Sequence, residues 1–239
     1  MFLLDRAFDD CLERLSSVTS RSDRALLIGC PSPLWRERLG EFAAEVDVVD
    51  PGQAFAAQAG GIAADEDRYD FGEAQYGLCV AIGTLDSVNE LPLALHMIHR
   101  ALRPNGLLIG AIAGGNSLLA LRTALIEGDR LAGRVAARTH PRVEAASLAG
   151  LITAAGFAMP VVDVDRVSLR YSSLGSLVRD LRAMGATSAL AQRPPPLSKA
   201  AARRAAEAFE QAGSGGRTEE NVEILHFLGW SQYSKQAAG

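Results

Sequence analysis

The chain has 239 residues, 48% hydrophobic and 22% charged, the make-up of a globular protein with a full core. Its 24 Lys and Arg against 28 Asp and Glu leave a net charge of −4, which argues against a nucleic-acid binder. No apolar run reaches the roughly 18 residues of a membrane span, and Met1-Phe-Leu-Leu-Asp-Arg6 lacks the basic start and long apolar core of a signal peptide.

Cys11, Cys30 and Cys79 lie far apart with no C-x-x-C spacing, so they read as reduced thiols of a cytoplasmic protein. Residues 2–16 place Leu4, Phe8, Cys11, Leu12 and Leu15 at helical spacing, an amphipathic helix within an N-terminal segment 1–22. A first strand, Ala25 to Ile28, ends at Gly29, and a helix is expected from about Leu34 to Ala44. Val46 to Asp50 alternates and stops at Pro51-Gly52, a second strand and its turn. Ala54 to Ala59 predicts a short helix, and Gly61 to Ala64 a short third strand before Asp65-Glu66-Asp67.

Tyr76 to Gly83 is apolar on both phases, as a buried parallel strand is. Asn89 is placed to cap a helix with the stripe Leu91, Leu95, Ile98 and Leu102. Arg103-Pro-Asn-Gly106 then fits a type I turn ahead of a fifth strand, Leu107 to Ala113. Helices follow at Leu118–Glu127 and Ala145–Ala155, within a helical insertion over 116–158. Val161 to Tyr171 alternates as a strand, and Leu174–Met184 is helical. Arg193-Pro-Pro-Pro-Leu197 is an extended connector, the first part of a segment 193–216 that continues with a helix at Ser198–Gln211 and a Gly-rich loop. Val222–Phe227 is a last strand. Alternating strands and helices predict one α/β domain over 1–239 with a parallel sheet covered on both faces.

In such a sheet a ligand sits outside the carboxyl end of the first strand, here Gly29-Cys-Pro-Ser-Pro33. Gly29 is in place, whereas Pro31 and Pro33 remove N–H donors and fix φ. His96 and His99 are spaced i, i+3 but gain no Cys or carboxylate partner by spacing, so they read as rim histidines and no metal set is assigned. Ser-His-Asp, P-loop and zinc patterns are also missing from the sequence. Asp50 is open to two readings, a ligand for a ribose or the cap of the turn at Pro51-Gly52. Asp65 and Glu66 are either site acids or solvated loop charges.

The strand order, the acid closing strand two, the acidic cluster after strand three and Arg100-Ala-Leu-Arg-Pro-Asn-Gly-Leu-Leu108 resemble a class I S-adenosylmethionine-dependent methyltransferase. Val88-Asn-Glu-Leu-Pro92, Gly114-Gly-Asn-Ser-Leu118, Val162-Asp-Val-Asp-Arg-Val167 and Ile224-Leu-His-Phe-Leu-Gly-Trp230 resemble one subgroup of it. That subgroup contains the methyltransferase-like, arginine-hydroxylating assembly factor of respiratory complex I and its alphaproteobacterial relatives. The resemblance implies a Rossmann-like fold with a seven-stranded, mostly parallel sheet and an inserted helical segment. It implies a transferase using S-adenosyl-L-methionine, bound at Gly29, Cys30, Asp50, Asp65, Glu66, Ile82 and Gly83. Asp86, Arg122, Arg142 and Tyr171 are the substrate-facing candidates, and no catalytic base is assigned. The substrate would be a small molecule or a protein, including a respiratory-chain subunit, and the alternative to methyl transfer is a non-catalytic or arginine-hydroxylating assembly role. The chain departs from the family pattern at Leu27, where an acid is usual, at Ser32 and Pro33, where glycines are usual, and at Asp86-Ser87, where relatives carry His-Trp.

Overall fold

The computed structural model describes residues 2–18, 20–131, 133–187, 190, 192 and 194–232. Its elements in chain order are α1 (Phe2–Val18), β1 (Ser22–Ile28), α2 (Pro33–Leu39), β2 (Ala43–Asp50), α3 (Gln53–Gln58), β3 (Ile62–Ala63), β4 (Tyr76–Ile82), α4 (Leu91–Ala101) and β5 (Leu102–Ala113). They continue with α5 (Leu119–Leu131), α6 (Ala145–Ala154), β6 (Phe157–Tyr171), α7 (Leu174–Ala183), α8 (Lys199–Gln211) and β7 (Thr218–Ser231). The seven strands form a mixed sheet in the order β3-β2-β1-β4-β5-β7-β6. β1 pairs in parallel with β2 and β4, β2 with β3, and β4 with β5. The chain divides into two compact units, one of Phe2–Ile112, Val143–Val164 and Leu225 onward, the other of Ala113–Arg142 and Asp165–Ile224.

In the first unit strand residues alternate between two buried faces. Leu26, Ile28, Cys79, Ala81 and Leu108 join Leu95 and Ile98 of α4 and Leu148 and Ile152 of α6 in one core. On the other phase Leu27, Val48 and Val80 are buried, and α1 packs on β4 and α2 on β2. Phe8 of α1 stacks on Trp35 of α2, with ring centroids 4.3 Å apart. Trp35 Nε1 donates to Asp5 Oδ1 at 3.1 Å, satisfying the one polar atom of a buried indole. The second unit is built on the packing of α5 against α8. A Cβ on Gly128 would lie 2.7 Å from the Ala201 carbonyl oxygen and 3.2 Å from Ala205 Cβ, so glycine there lets the helices approach closely.

Three sequence expectations are corrected. The helix from Leu34 stops at Leu39, because Ala43 and Glu45 are drawn into β2 opposite Ser22 and Arg24. α4 is capped at Glu90 rather than Asn89, and its cap is supplied from afar: the Glu90 N–H donates to Asp67 Oδ2 at 3.1 Å. In the Arg103–Gly106 turn Asn105 has φ +61°, which a type I turn does not allow and the third position of a type II turn requires. β6 and β7 also run further than the expected Val161–Tyr171 and Val222–Phe227. The Arg193 end of the Pro-rich connector lies outside the described residues.

Candidate functional site

The first unit concentrates glycine conformations and buried acids at the carboxyl ends of β1, β2 and β4. Gly29 has φ +79°, and a Cβ there would stand 2.2 Å from the Ile82 carbonyl oxygen and 3.0 Å from Thr84 Cγ2. Gly83 has φ +74°, and its missing Cβ would meet Leu4 Cδ2 of α1 at 2.6 Å. Only glycine allows the chain to turn here while the two strand ends stay this close. Gly29 N–H donates to the Val49 carbonyl at 2.9 Å and Gly83 N–H to the Ala111 carbonyl at 3.1 Å, which anchors both turns to neighbouring strands.

Asp50 is buried, and each of its oxygens accepts a main-chain N–H: Oδ2 from Cys30 and Oδ1 from Gly52, both at 2.7 Å. The side chain thus caps the turn after β2 and also ties the β1 loop to it. Burial pushes its pKa up, and the two N–H groups pull it back. Cys30 is likewise buried, its thiol pushed up to about 11 by burial and then by the Asp50 charge, so it stays protonated and inert. In the rest of the loop Pro33 occupies the first turn of α2, where its lost N–H is one that a helix leaves unpaired anyway.

Glu66 is the outlier of the cluster. Its side chain is only 2% exposed, yet Oε1 has no hydrogen-bond partner. Burial raises its pKa; the nearby Thr84 hydroxyl opposes that, and Asp50 and Asp65 add to it. The Thr84 Oγ1 and Asp67 Oδ1 atoms are also buried and unpartnered, the latter 4.0 Å from Arg68 Nε. Buried polar atoms are normally paired, so these three mark the segments 66–67 and 84 as a place where a ligand could supply partners. Carboxylate acceptors of this kind suit the hydroxyl and amino donors of a nucleoside. Asp65 by contrast is exposed, and Ile82 contributes its carbonyl to the Gly29 approach.

Of the substrate-facing candidates, only Asp86 belongs to this unit, half-buried in the turn Thr84–Ser87 that a 2.9 Å Ser87 N–H to Thr84 carbonyl bond closes. Arg122, Arg142 and Tyr171 belong to the other unit. Arg122 is exposed on α5 and donates to the Gly115 carbonyl at 3.3 Å. Tyr171, its hydroxyl pushed up to about 12 by burial and by Asp180, closes β6. His96 is exposed, whereas His99 packs edge-on against Phe157 with centroids 4.9 Å apart, and burial lowers its pKa. Sequence reasoning missed Thr84 and Asp67; the Thr84 position directly after the glycine that ends β4 was the available signal.

This strand order with glycine turns and a buried acid at the strand ends defines a Rossmann-like methyltransferase fold. The methyltransferase domain family matches residues 3–160, and the chain belongs to that family. Among curated proteins it is 32% identical to the mitochondrial arginine-hydroxylase NDUFAF5 of Danio rerio over 180 residues, 74% of this chain and 56% of that protein. It is 31% identical to a malonyl-[acyl-carrier protein] O-methyltransferase of Laribacter hongkongensis over 64% of this chain and 53% of that one. The chain spans about half the length of the curated relatives it matches. Among solved structures, the YcgJ protein of Bacillus subtilis superposes with a TM-score of 0.62 at 11% identity, covering 94% of this chain and 98% of that one. A Haemonchus contortus phosphoethanolamine N-methyltransferase 2, solved with S-adenosyl-L-methionine, gives 0.57 at 14% identity over 94% of this chain and 52% of its own.

Proposed function

We propose that the chain is a methyltransferase-like protein that binds S-adenosyl-L-methionine at the ends of β1, β2 and β4. The observation that carries the reading is the buried Glu66 Oε1 without a hydrogen-bond partner of good geometry, beside the buried Thr84 hydroxyl. A ligand that donates to Glu66 and Asp67 would satisfy both acids at once. Gly29 and Gly83 let the chain turn sharply at the ends of β1 and β4 while packing against Ile82 and Leu4. Asp50 holds the β1 loop through Cys30, and this leaves a lone pair on each of its oxygens for ribose hydroxyls. The bound cofactor supplies a methyl group on a sulfonium; the chain contributes binding, orientation and a field of buried carboxylates that favours a cation. No side chain in the unit is assigned as a base.

With its cysteines buried and reduced and, among the described residues, no helix long and apolar enough to cross a membrane, we place the chain in the cytoplasm. A second reading is favoured by the similarity to arginine-hydroxylase NDUFAF5: an assembly factor acting on a respiratory-chain subunit. A melting series with S-adenosylmethionine and S-adenosylhomocysteine tests the first reading. A ligand at 100 times its Kd adds about 2.7 kcal/mol, or about 5–11 °C at this chain length. A flat series at millimolar ligand would sink the cofactor reading. Stable co-elution of the ligand-free chain with a purified respiratory-chain subunit would then favour the second.

A further inference from the structure

Away from the strand ends, the second unit carries a groove of about 350 Å³ between α5 and the segment 133–141. Leu125, Ile126, Val135 and Pro141 give it an apolar floor, and Arg122 and His140 stand among them. Ile126 on α5 and Val135 on the facing segment are 38% and 69% exposed and line the same concavity. Among the described residues lining the groove, Arg122 and Arg138 carry positive charge and none is acidic.

One wall of the groove is built in. Asp129, fully buried on α5, takes a two-pronged bond from Arg138, Nε to Oδ2 at 2.7 Å and Nη2 to Oδ1 at 2.6 Å. Its Oδ2 also accepts the Ala136 N–H at 3.3 Å. Arg138 and Arg134 then reach the Pro195 carbonyl at 3.1 and 3.4 Å. This knot fixes the segment that forms the groove's wall, so the concavity is held open rather than made by a ligand. Arg138 is thereby neutralised, which leaves Arg122 as the cation offered to a ligand. Among the described residues its bond to the Gly115 carbonyl uses one of five guanidinium donors, and the planar fork suits a carboxylate.

We infer that this groove is a binding site for a medium-chain acyl carboxylate, the chain lying on Leu125, Ile126 and Val135 and the carboxylate paired with Arg122. A volume near the small end of ligand sites, which run about 300–1,000 Å³, selects a medium rather than a long chain. The inference is independent of cofactor binding, so the two stand or fall separately.

The test is calorimetric titration of the full chain with decanoate, below its micellar range, against decanol and decyltrimethylammonium. Decanoate is expected to bind at micromolar to low-millimolar Kd, with the other two at least tenfold weaker. Arg122→Gln, on an exposed side chain that folding does not need, should weaken decanoate at least tenfold and leave decanol unchanged. Val135→Glu should abolish both, and methyl resonances of Ile126 and Val135 should shift on titration in the unmodified chain. The inference is overturned if decanol binds as tightly as decanoate, if Arg122→Gln changes nothing, or if the shifts map elsewhere. It is equally overturned if a glutamate-rich peptide saturates the chain while decanoate produces no heat.

Discussion

Asp129 and Glu66 are both buried carboxylates, and the chain treats them in opposite ways. Around Asp129 every oxygen is used, by Arg138, Arg134 and the Ala136 N–H, and the Arg138 bond holds its pKa below the usual carboxylate value. Around Glu66, Oε1 has no hydrogen-bond partner of good geometry, and burial drives the pKa up against the opposing pull of the Thr84 hydroxyl. A buried charge that is paired and hydrogen-bonded serves structure; one left short of partners destabilises the fold and persists where a ligand supplies what is missing. The contrast separates a structural knot in one unit from the proposed ligand contact in the other.

The strongest way to break that contrast is to remove the knot. Asp129→Ala leaves Arg138, whose side chain is 11% exposed, without its partner. Deleting one member of such a pair typically costs about 3–5 kcal/mol, which is about 6–20 °C in melting temperature. A loss under 2 °C would show that Asp129 does not hold the 133–141 wall. The pH response has a definite sign. With its folded pKa below the unfolded value near 4, Asp129 contributes stability fully present above that value and lost as pH falls through the folded pKa. Asp129→Asn should therefore flatten the acid limb of the stability curve.

The next effect concerns the strand-end glycines. Gly29→Ala places a Cβ 2.2 Å from the Ile82 carbonyl at φ +79°. Left-handed strain of about 1–2 kcal/mol and overpacking of about 1–3 kcal/mol should together lower stability by about 2–5 kcal/mol. Gly133 is the control: its φ is +69°, but nothing lies within 4 Å of its missing Cβ. Gly133→Ala should show the strain alone, about 1–2 kcal/mol. Equal losses in urea unfolding would mean that the close approach of β1 and β4 is not what requires Gly29.

These residues also show what the sequence made legible. Gly29 and Gly83 stand out because each ends an apolar run of strand length, and Pro33 because it opens a helix. The parallel sheet follows from the alternation of such runs with amphipathic stripes. The helix expected to Ala44 is a case where pairing with β1 overrides local propensity. What local patterns could not carry are side chains that reach across the chain: Asp67 capping α4 at Glu90, Glu220 accepting the Leu121 N–H of α5 at 2.5 Å, and the Asp129 knot. Nothing in spacing announces a cap supplied by a residue 23 or 99 positions away. Glu66 was legible as an acid after strand three, but its burial beside Thr84 was not, because Asp65 one residue earlier is exposed and the two read alike.

The smallest effect, and the one that most sharpens the comparison, is Glu66→Gln. Because the folded pKa of Glu66 lies above the unfolded value near 4.3, its favourable contribution is fully present only below that value and is lost as pH rises through the folded pKa. Above its folded pKa the carboxylate is ionised, buried and short of a partner, so there the ligand-free chain should gain about 1 kcal/mol from the neutral amide. That gain is about 2–4 °C in melting temperature, and it should shrink to nothing below the unfolded value near 4.3, where both states are protonated. The same variant should lose affinity for S-adenosylhomocysteine by about tenfold, because the amide offers one acceptor where the carboxylate offers two. A stabilised apo protein with weakened ligand binding is the signature of an acid kept for a ligand. If Glu66→Gln instead melts lower than the parent chain across the whole pH series, then Glu66 holds structure as Asp129 does, and the contrast between the two acids fails.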